Sequence, residues 1–197
     1  LGALFEGIKS YDLDINVIVV SDHGMMEVTP DHFLNLSELT KGIPARIVNN
    51  GALAHVYLED QKDKEKVIKA LEESDWPIHI TDVDDKENYQ DLMYKGRIGD
   101  ILIIPDRYYY LAWETTLTRM RENMDRLDTD RFGEHGFSPA YKAMHAIFYA
   151  NGPAFKSGLE IETFQNIHVY PLICKILGLP APENIDGRLE VLEPILK

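Results

Sequence analysis

Val17-Ile18-Val19-Val20-Ser21-Asp22-His23-Gly24-Met25 decides how the chain is read. Four branched apolar residues run unbroken into a small polar residue, a carboxylate, an imidazole and a glycine. A continuous β-branched run predicts a strand covered on both faces, as in a parallel sheet. In open α/β sheets, ligands sit beyond the carboxyl ends of such strands. Asp22 and His23 fall at that point, and both are good donors to a divalent metal. Gly24, without a Cβ, lets the chain bend sharply beside them.

Upstream, Leu4 to Tyr11 has helical spacing, and Asp12 to Asn16 forms the turn into the strand. A helix that feeds a buried strand normally follows an earlier strand, and the sequence supplies none. The chain also starts at Leu1 without Met. Together these features predict a fragment or a processed form, so the lack of a targeting segment carries little weight.

Downstream, Met25 to Leu39 reads as an irregular excursion with a short helix. Ile43 to Asn50 holds a short strand that stops at the turn signal Asn49-Asn50-Gly51. Ala52 to Leu58 reads as a strand, and Gln61 to Glu73 as an amphipathic helix with Val67, Ile68 and Leu71 on one face. Pro77 to Ile80 reads as a strand, Lys86 to Tyr94 as a polar stretch, and Ile98 to Ile104 as a strong apolar strand. Tyr108 to Trp113 is aromatic. We read it as packing, with a platform for a flat substrate group as the lesser alternative. Thr115 to Arg131 has the spacing of a helix. Phe132-Gly133-Glu134-His135-Gly136-Phe137 reads as a loop with a Glu-His pair between glycines. Ala146 to Ala150 is a further strand. Phe164 to Leu177 is a helix closed by Gly178 and Pro180.

The length of 197 residues suits one good-sized core, or a core with a small subdomain. A net charge of −13 disfavours attraction to duplex nucleic acid or an anionic membrane. A phosphate substrate remains compatible with that charge where a metal supplies local positive charge. No apolar run approaches the roughly 20 residues of a membrane span. Cys174, on a helix among Ile173, Ile176 and Leu177, reads as a buried and inert thiol.

Two glycine-flanked imidazoles, one beside a carboxylate, are the residues that point to chemistry. From the residues alone, a metal site and a hydrogen-bonded structural turn are both open. Six segments follow one another in a familiar order: Ser21-Asp22-His23-Gly24-Met25, Gly133-Glu134-His135-Gly136-Phe137, Met144-His145-Ala146-Ile147-Phe148, Gly152-Pro153-Ala154-Phe155-Lys156, Asn166-Ile167-His168-Val169-Tyr170 and Leu177-Gly178-Leu179-Pro180-Ala181-Pro182. With Arg97-Ile98-Gly99-Asp100, they resemble the carboxyl-terminal half of the nucleotide pyrophosphatase/phosphodiesterase family, in the alkaline phosphatase superfamily. The resemblance covers nearly the whole chain.

That resemblance implies an α/β fold: a partial alkaline-phosphatase-like core sheet with helices at 1–46 and 105–197, and a small inserted α+β subdomain at 47–104. It implies two zinc ions and a Thr or Ser nucleophile acting on nucleotides or other phosphodiesters. Asp22 and His23 would belong to the metal beside the nucleophile, and His135 to the other. Paired cations suit an in-line displacement because each stabilises one of the attacking and leaving oxygens. The family's nucleophile and its remaining ligands lie upstream of Ser21, and no Thr precedes Val17. Three ligands divided between two ions are too few for tight zinc binding. The chain alone is therefore expected to be inactive, with partial or empty metal sites.

Glu134 reads as a group that tunes His135 or simply as an exposed carboxylate. His168 reads as a structural or capping group and His145 as packing or surface. His32, His55 and His79 carry no pattern. The resemblance also implies an extracytoplasmic protein. Missing strands predict an open sheet edge and self-association. The alternatives are another hydrolase of the superfamily (phosphatase, phosphotransferase or sulfatase-like), or a non-catalytic binding module with vestigial metal ligands.

Overall fold

The computed structural model describes residues 1–82 and 97–197. The polar stretch read at Lys86 to Tyr94 lies outside them. The chain divides into two compact units, one formed by Leu1–Asp22 with Ala146–Lys197 and the other by His23–His145.

In the first unit, helix α1 (Gly2–Lys9) precedes strand β1 (Val17–Val20). β1 pairs antiparallel with β10 (Phe148–Asn151), with Val17 opposite Asn151 and Val20 opposite Phe148. This corrects the expectation of a doubly covered strand in a parallel sheet. Val17 to Val19 are half-buried and Val20 is exposed. A β-branched run signals a pleated, partly buried surface, but it carries no information on strand direction. Helix α5 (Val169–Leu177) follows a short 3-10 turn at Asn166–His168. It ends at Gly178 in the left-handed conformation, and the Leu179 N–H closes back on the Cys174 carbonyl at 2.9 Å. Its buried face carries Val169, Leu172 and Cys174. Phe155, Val169, Leu172, Leu192 and Ile195 form this unit's core, with Ile18, Phe148 and Ala150 packed against it. Cys174 is a buried free thiol, as expected.

The second unit carries a four-stranded antiparallel sheet in the order β4-β5-β7-β6. Its strands are β4 (Ala45–Asn49), β5 (Ala54–Leu58), β6 (Ile78–Asp82) and β7 (Ile101–Pro105). Helix α3 (Lys64–Glu72) buries Val67 and Leu71, with Ile68 partly covered, so the face read from the sequence is the one that packs. β7 is buried at four of its five positions, which explains its unbroken apolar run.

Two small ladders complete the unit. β2 (Met26–Val28) runs antiparallel to β9 (Phe132–Glu134), and β3 (Phe33–Asn35) runs parallel to β8 (Tyr110–Ala112). Helix α2 (Leu36–Leu39) is the short helix expected after Met25, and α4 is Glu114–Leu127. Phe132 to Glu134, read as loop, is strand. Three residues are too few to show a period of two. Met26, Val28, Ala52, Phe137 and Met144 form a second core beneath these ladders, with Tyr110 among the residues packed on it. The aromatic stretch therefore serves packing at Tyr110.

Candidate metal centre

His23 and His135 come together. Their ring centroids are 3.8 Å apart and the planes differ by 12°. The β2–β9 ladder brings this about. Met26 pairs with Glu134, so His23 lies just before the start of one strand and His135 just after the end of its partner. The sequence separates the two histidines widely, and three residue pairs of ladder close that distance.

On the His23 side, Gly24 is wedged against the backbone of 143–145. A Cβ added there would lie 2.0 Å from the Ala143 carbonyl oxygen and 2.8 Å from that of His145. The Gly24 N–H donates to Met144 O and the Met25 N–H to Ala143 O, both at 2.9 Å. Gly24 is thus required for close approach of two chain segments. Its φ is not positive, so the glycine is needed here for room and not for a left-handed backbone.

His23 Nδ1 lies 2.7 Å from the Gly24 carbonyl oxygen. A carbonyl only accepts, so the Nδ1–H donates to it. Metal-bound histidines are commonly oriented in this way, by donating the other ring N–H to a carbonyl or carboxylate.

Asp22 is the last residue of the first unit's opening segment. The side-chain amide of Asn166 donates to the carbonyls of Ser21 at 2.9 Å and Asp22 at 3.5 Å. The Ser21 hydroxyl accepts from the Ile147 N–H at 3.0 Å. These bonds fix the carboxyl end of β1, where Asp22 begins. Among the described residues, no group of three or more His, Cys, Asp or Glu side chains is placed to hold an ion. The donor types at Asp22, His23 and His135 fit zinc, but divided between two ions they fall below the three protein ligands of a catalytic site.

The other histidines are structural or peripheral. His168 is buried, and its Nδ1 accepts the Arg188 N–H at 3.0 Å, in keeping with the structural role read from the sequence. His145 is exposed and its Nε2 donates to Pro139 O at 3.1 Å. His79 pairs with Asp106 at 2.7 Å on the surface. His55 Nδ1 accepts the Gly99 N–H at 3.3 Å, and burial pushes its pKa down.

Sequence reasoning missed Tyr110. Burial, followed by the negative charge of nearby Glu134, next to His135, pushes its hydroxyl's pKa up to about 12. An aromatic run records packing. It does not show that one ring is seated against the turn at Gly51.

Residues 1–138 match the family described as type I phosphodiesterase / nucleotide pyrophosphatase. The chain is 31% identical over 205 residues to ectonucleotide pyrophosphatase/phosphodiesterase family member 7 of Mus musculus, covering 100% of this chain and 44% of that protein. It is 26% identical over 187 residues to the bis(5'-adenosyl)-triphosphatase ENPP4 of Homo sapiens, covering 93% of this chain and 38% of the relative. Among solved structures, human ectonucleotide pyrophosphatase / phosphodiesterase 5 superposes with a TM-score of 0.81 at 23% identity, over 100% of this chain and 50% of that one. An inactive variant of the murine protein, solved in complex with AMP, gives a TM-score of 0.79 at 24% identity. These two likenesses show the fold, and it is the α/β one expected.

Proposed function

Because the chain belongs to the type I phosphodiesterase / nucleotide pyrophosphatase family, we propose that it carries part of a two-zinc site that hydrolyses phosphodiester or pyrophosphate bonds in nucleotides. The observation that carries this reading is the stacked His23–His135 pair, brought together by the β2–β9 ladder. Asp22 and His23 would hold one ion and His135 the other. Bound zinc would supply Lewis-acid stabilisation of the phosphoryl oxygens. The protein's own contribution is orientation: the Nδ1–H of His23 is anchored on the Gly24 carbonyl, and the β2–β9 ladder sets the spacing of the rings.

The nucleotide class of substrate is supported by the relative ENPP4, a bis(5'-adenosyl)-triphosphatase, and by the AMP bound in the murine relative. The chain spans less than half the length of the curated relatives it matches. The hydrolysis is therefore assigned to the parent protein. No residue of this chain takes the nucleophile's role, and three metal donors cannot close two ions' coordination. The chain alone is expected to be inactive and to bind zinc weakly. The prefix in the relative's name, ectonucleotide pyrophosphatase/phosphodiesterase, supports an extracytoplasmic location, and no helix among the described residues is long and apolar enough to cross a membrane.

Hydrolysis of a chromogenic nucleoside phosphodiester with added zinc tests this assignment. No turnover above buffer is expected from the 197-residue chain, and turnover is expected from a longer parent protein containing it. Clear turnover by the chain alone overturns the division of labour. A parent that folds without zinc and without activity favours the non-catalytic binding module.

A further inference from the structure

Tyr108 takes a backbone conformation that a tyrosine rarely adopts. The Asp106–Tyr109 turn is closed by the Tyr109 N–H, which donates to Asp106 O at 3.0 Å. Tyr108 is the third residue of that turn, with a φ of +76°. This is the glycine position of a type II turn, and a bulky side chain there is strained. Such strain persists only where the surroundings hold it, and it gathers at binding sites. The Tyr108 ring is 40% exposed. The guanidinium of Arg107 lies over it, with Cζ 4.5 Å from its centroid and 5.3 Å from that of Tyr141. Tyr141 is itself seated on the core of Met26, Val28 and Phe137. His32 stands edge-on to Tyr108 at 6.3 Å, and its Nδ1 is bonded to the Thr29 hydroxyl at 2.9 Å. Among the described residues, Arg107 makes neither a hydrogen bond nor an ion pair besides these ring contacts. Its neighbour in sequence, Asp106, is bound instead to His79 Nε2 at 2.7 Å.

We propose that Arg107, held by the rings of Tyr108 and Tyr141, binds a phosphate group, either free phosphate or the phosphate of a small phosphorylated molecule. Stacking on aromatic faces fixes the plane of a guanidinium and leaves its charge intact. The flat fork of N–H donors at its edge matches two oxygens of a phosphate. A cation without a carboxylate partner attracts a dianion more strongly than a singly charged carboxylate. The rings already hold the side chain, so little rotamer freedom is lost on binding. The site uses none of the metal-donor residues and needs no metal, so it stands apart from the two-zinc reading.

The test titrates the 197-residue chain, without zinc, with inorganic phosphate at constant ionic strength. NMR follows the arginine Nε–H signals and the backbone amides of 107–109. The Arg107 Nε–H signal is identified by its loss in Arg107→Lys. It is expected to move saturably, while those of Arg119 and Arg121, exposed on α4, move little. Arg107→Lys keeps the charge without the fork, and its affinity, read from the amides, is expected to fall about tenfold. Tyr108→Gly removes the ring and relieves the backbone. It is expected to bind about threefold more weakly while melting no lower than the unaltered chain. Tyr108→Phe keeps the ring and is expected to keep the affinity. AMP that binds more tightly than inorganic phosphate assigns the site to a nucleotide phosphate, and equal affinity assigns it to the phosphate group alone. Acetate binding as tightly as phosphate overturns the phosphate assignment. An Arg107 signal that moves no more than those of Arg119 and Arg121 overturns the site. So does a folded Tyr108→Gly chain that binds phosphate as the unaltered chain does. If Tyr108→Gly fails to fold, Arg107→Lys decides.

Discussion

A single methyl group at Gly24 would collide with backbone, which cannot rotate away as a side chain can. Gly24→Ala must push the 143–145 segment off, with loss of two hydrogen bonds to Met144 and Ala143. Overpacking of this kind costs about 1–3 kcal/mol, and we expect the upper end of that range from urea unfolding. A loss below about 0.5 kcal/mol, the level of an ordinary surface change, contradicts the contact. His55 gives the residue-scale pH dependence. Burial lowers its folded pKa below the ordinary 6.5, so the neutral ring is the form the fold favours. That contribution is fully present above pH 6.5 and is lost as pH falls through the lowered value, when Nδ1 gains a proton and can no longer accept from Gly99. An NMR titration midpoint for His55 below 6.5 is expected, and one above 6.5 contradicts it.

The elements that were legible in the sequence are those long enough to show a period or an apolar block. α3 was marked by Val67, Ile68 and Leu71, α5 by its run into Gly178, and β7 by Ile101 to Ile104. The three-residue ladders were not legible. β2 and β9 carry too few residues for alternation to register, yet their pairing is what joins the two histidines. The sequence marked His23 and His135 as candidates through their flanking glycines. It did not show that Tyr110, set in an aromatic run, lies against the turn at Gly51. Such contacts arise from tertiary packing, which no local pattern records. The same packing makes α5 testable. Leu172 is fully buried against Phe155, Val169, Leu192 and Ile195. Leu172→Ala is expected to destabilise the chain by about 2–5 kcal/mol in denaturant titration, and a loss under about 1 kcal/mol contradicts that core.

The chain aligns with the mouse relative along its whole length but spans about 44% of it, and its first unit exposes much apolar surface. Val20 and Tyr149 on the β1–β10 pair are 43% and 49% exposed, and Tyr170, Ile173 and Leu177 on α5 are 51%, 38% and 64% exposed. Unburied surface of this kind favours association. We expect light scattering to show self-association at micromolar concentration, and a monodisperse monomer contradicts this. The central claim is that His23 and His135 are donors to metal, beyond being neighbours. The most direct measurement is the ring-nitrogen NMR signal of each histidine of the chain as zinc is added. The account predicts that His23 and His135 respond together, with His23 responding at Nε2, while buried His168 is unmoved. Zinc that shifts other histidines and leaves these two unchanged would contradict it.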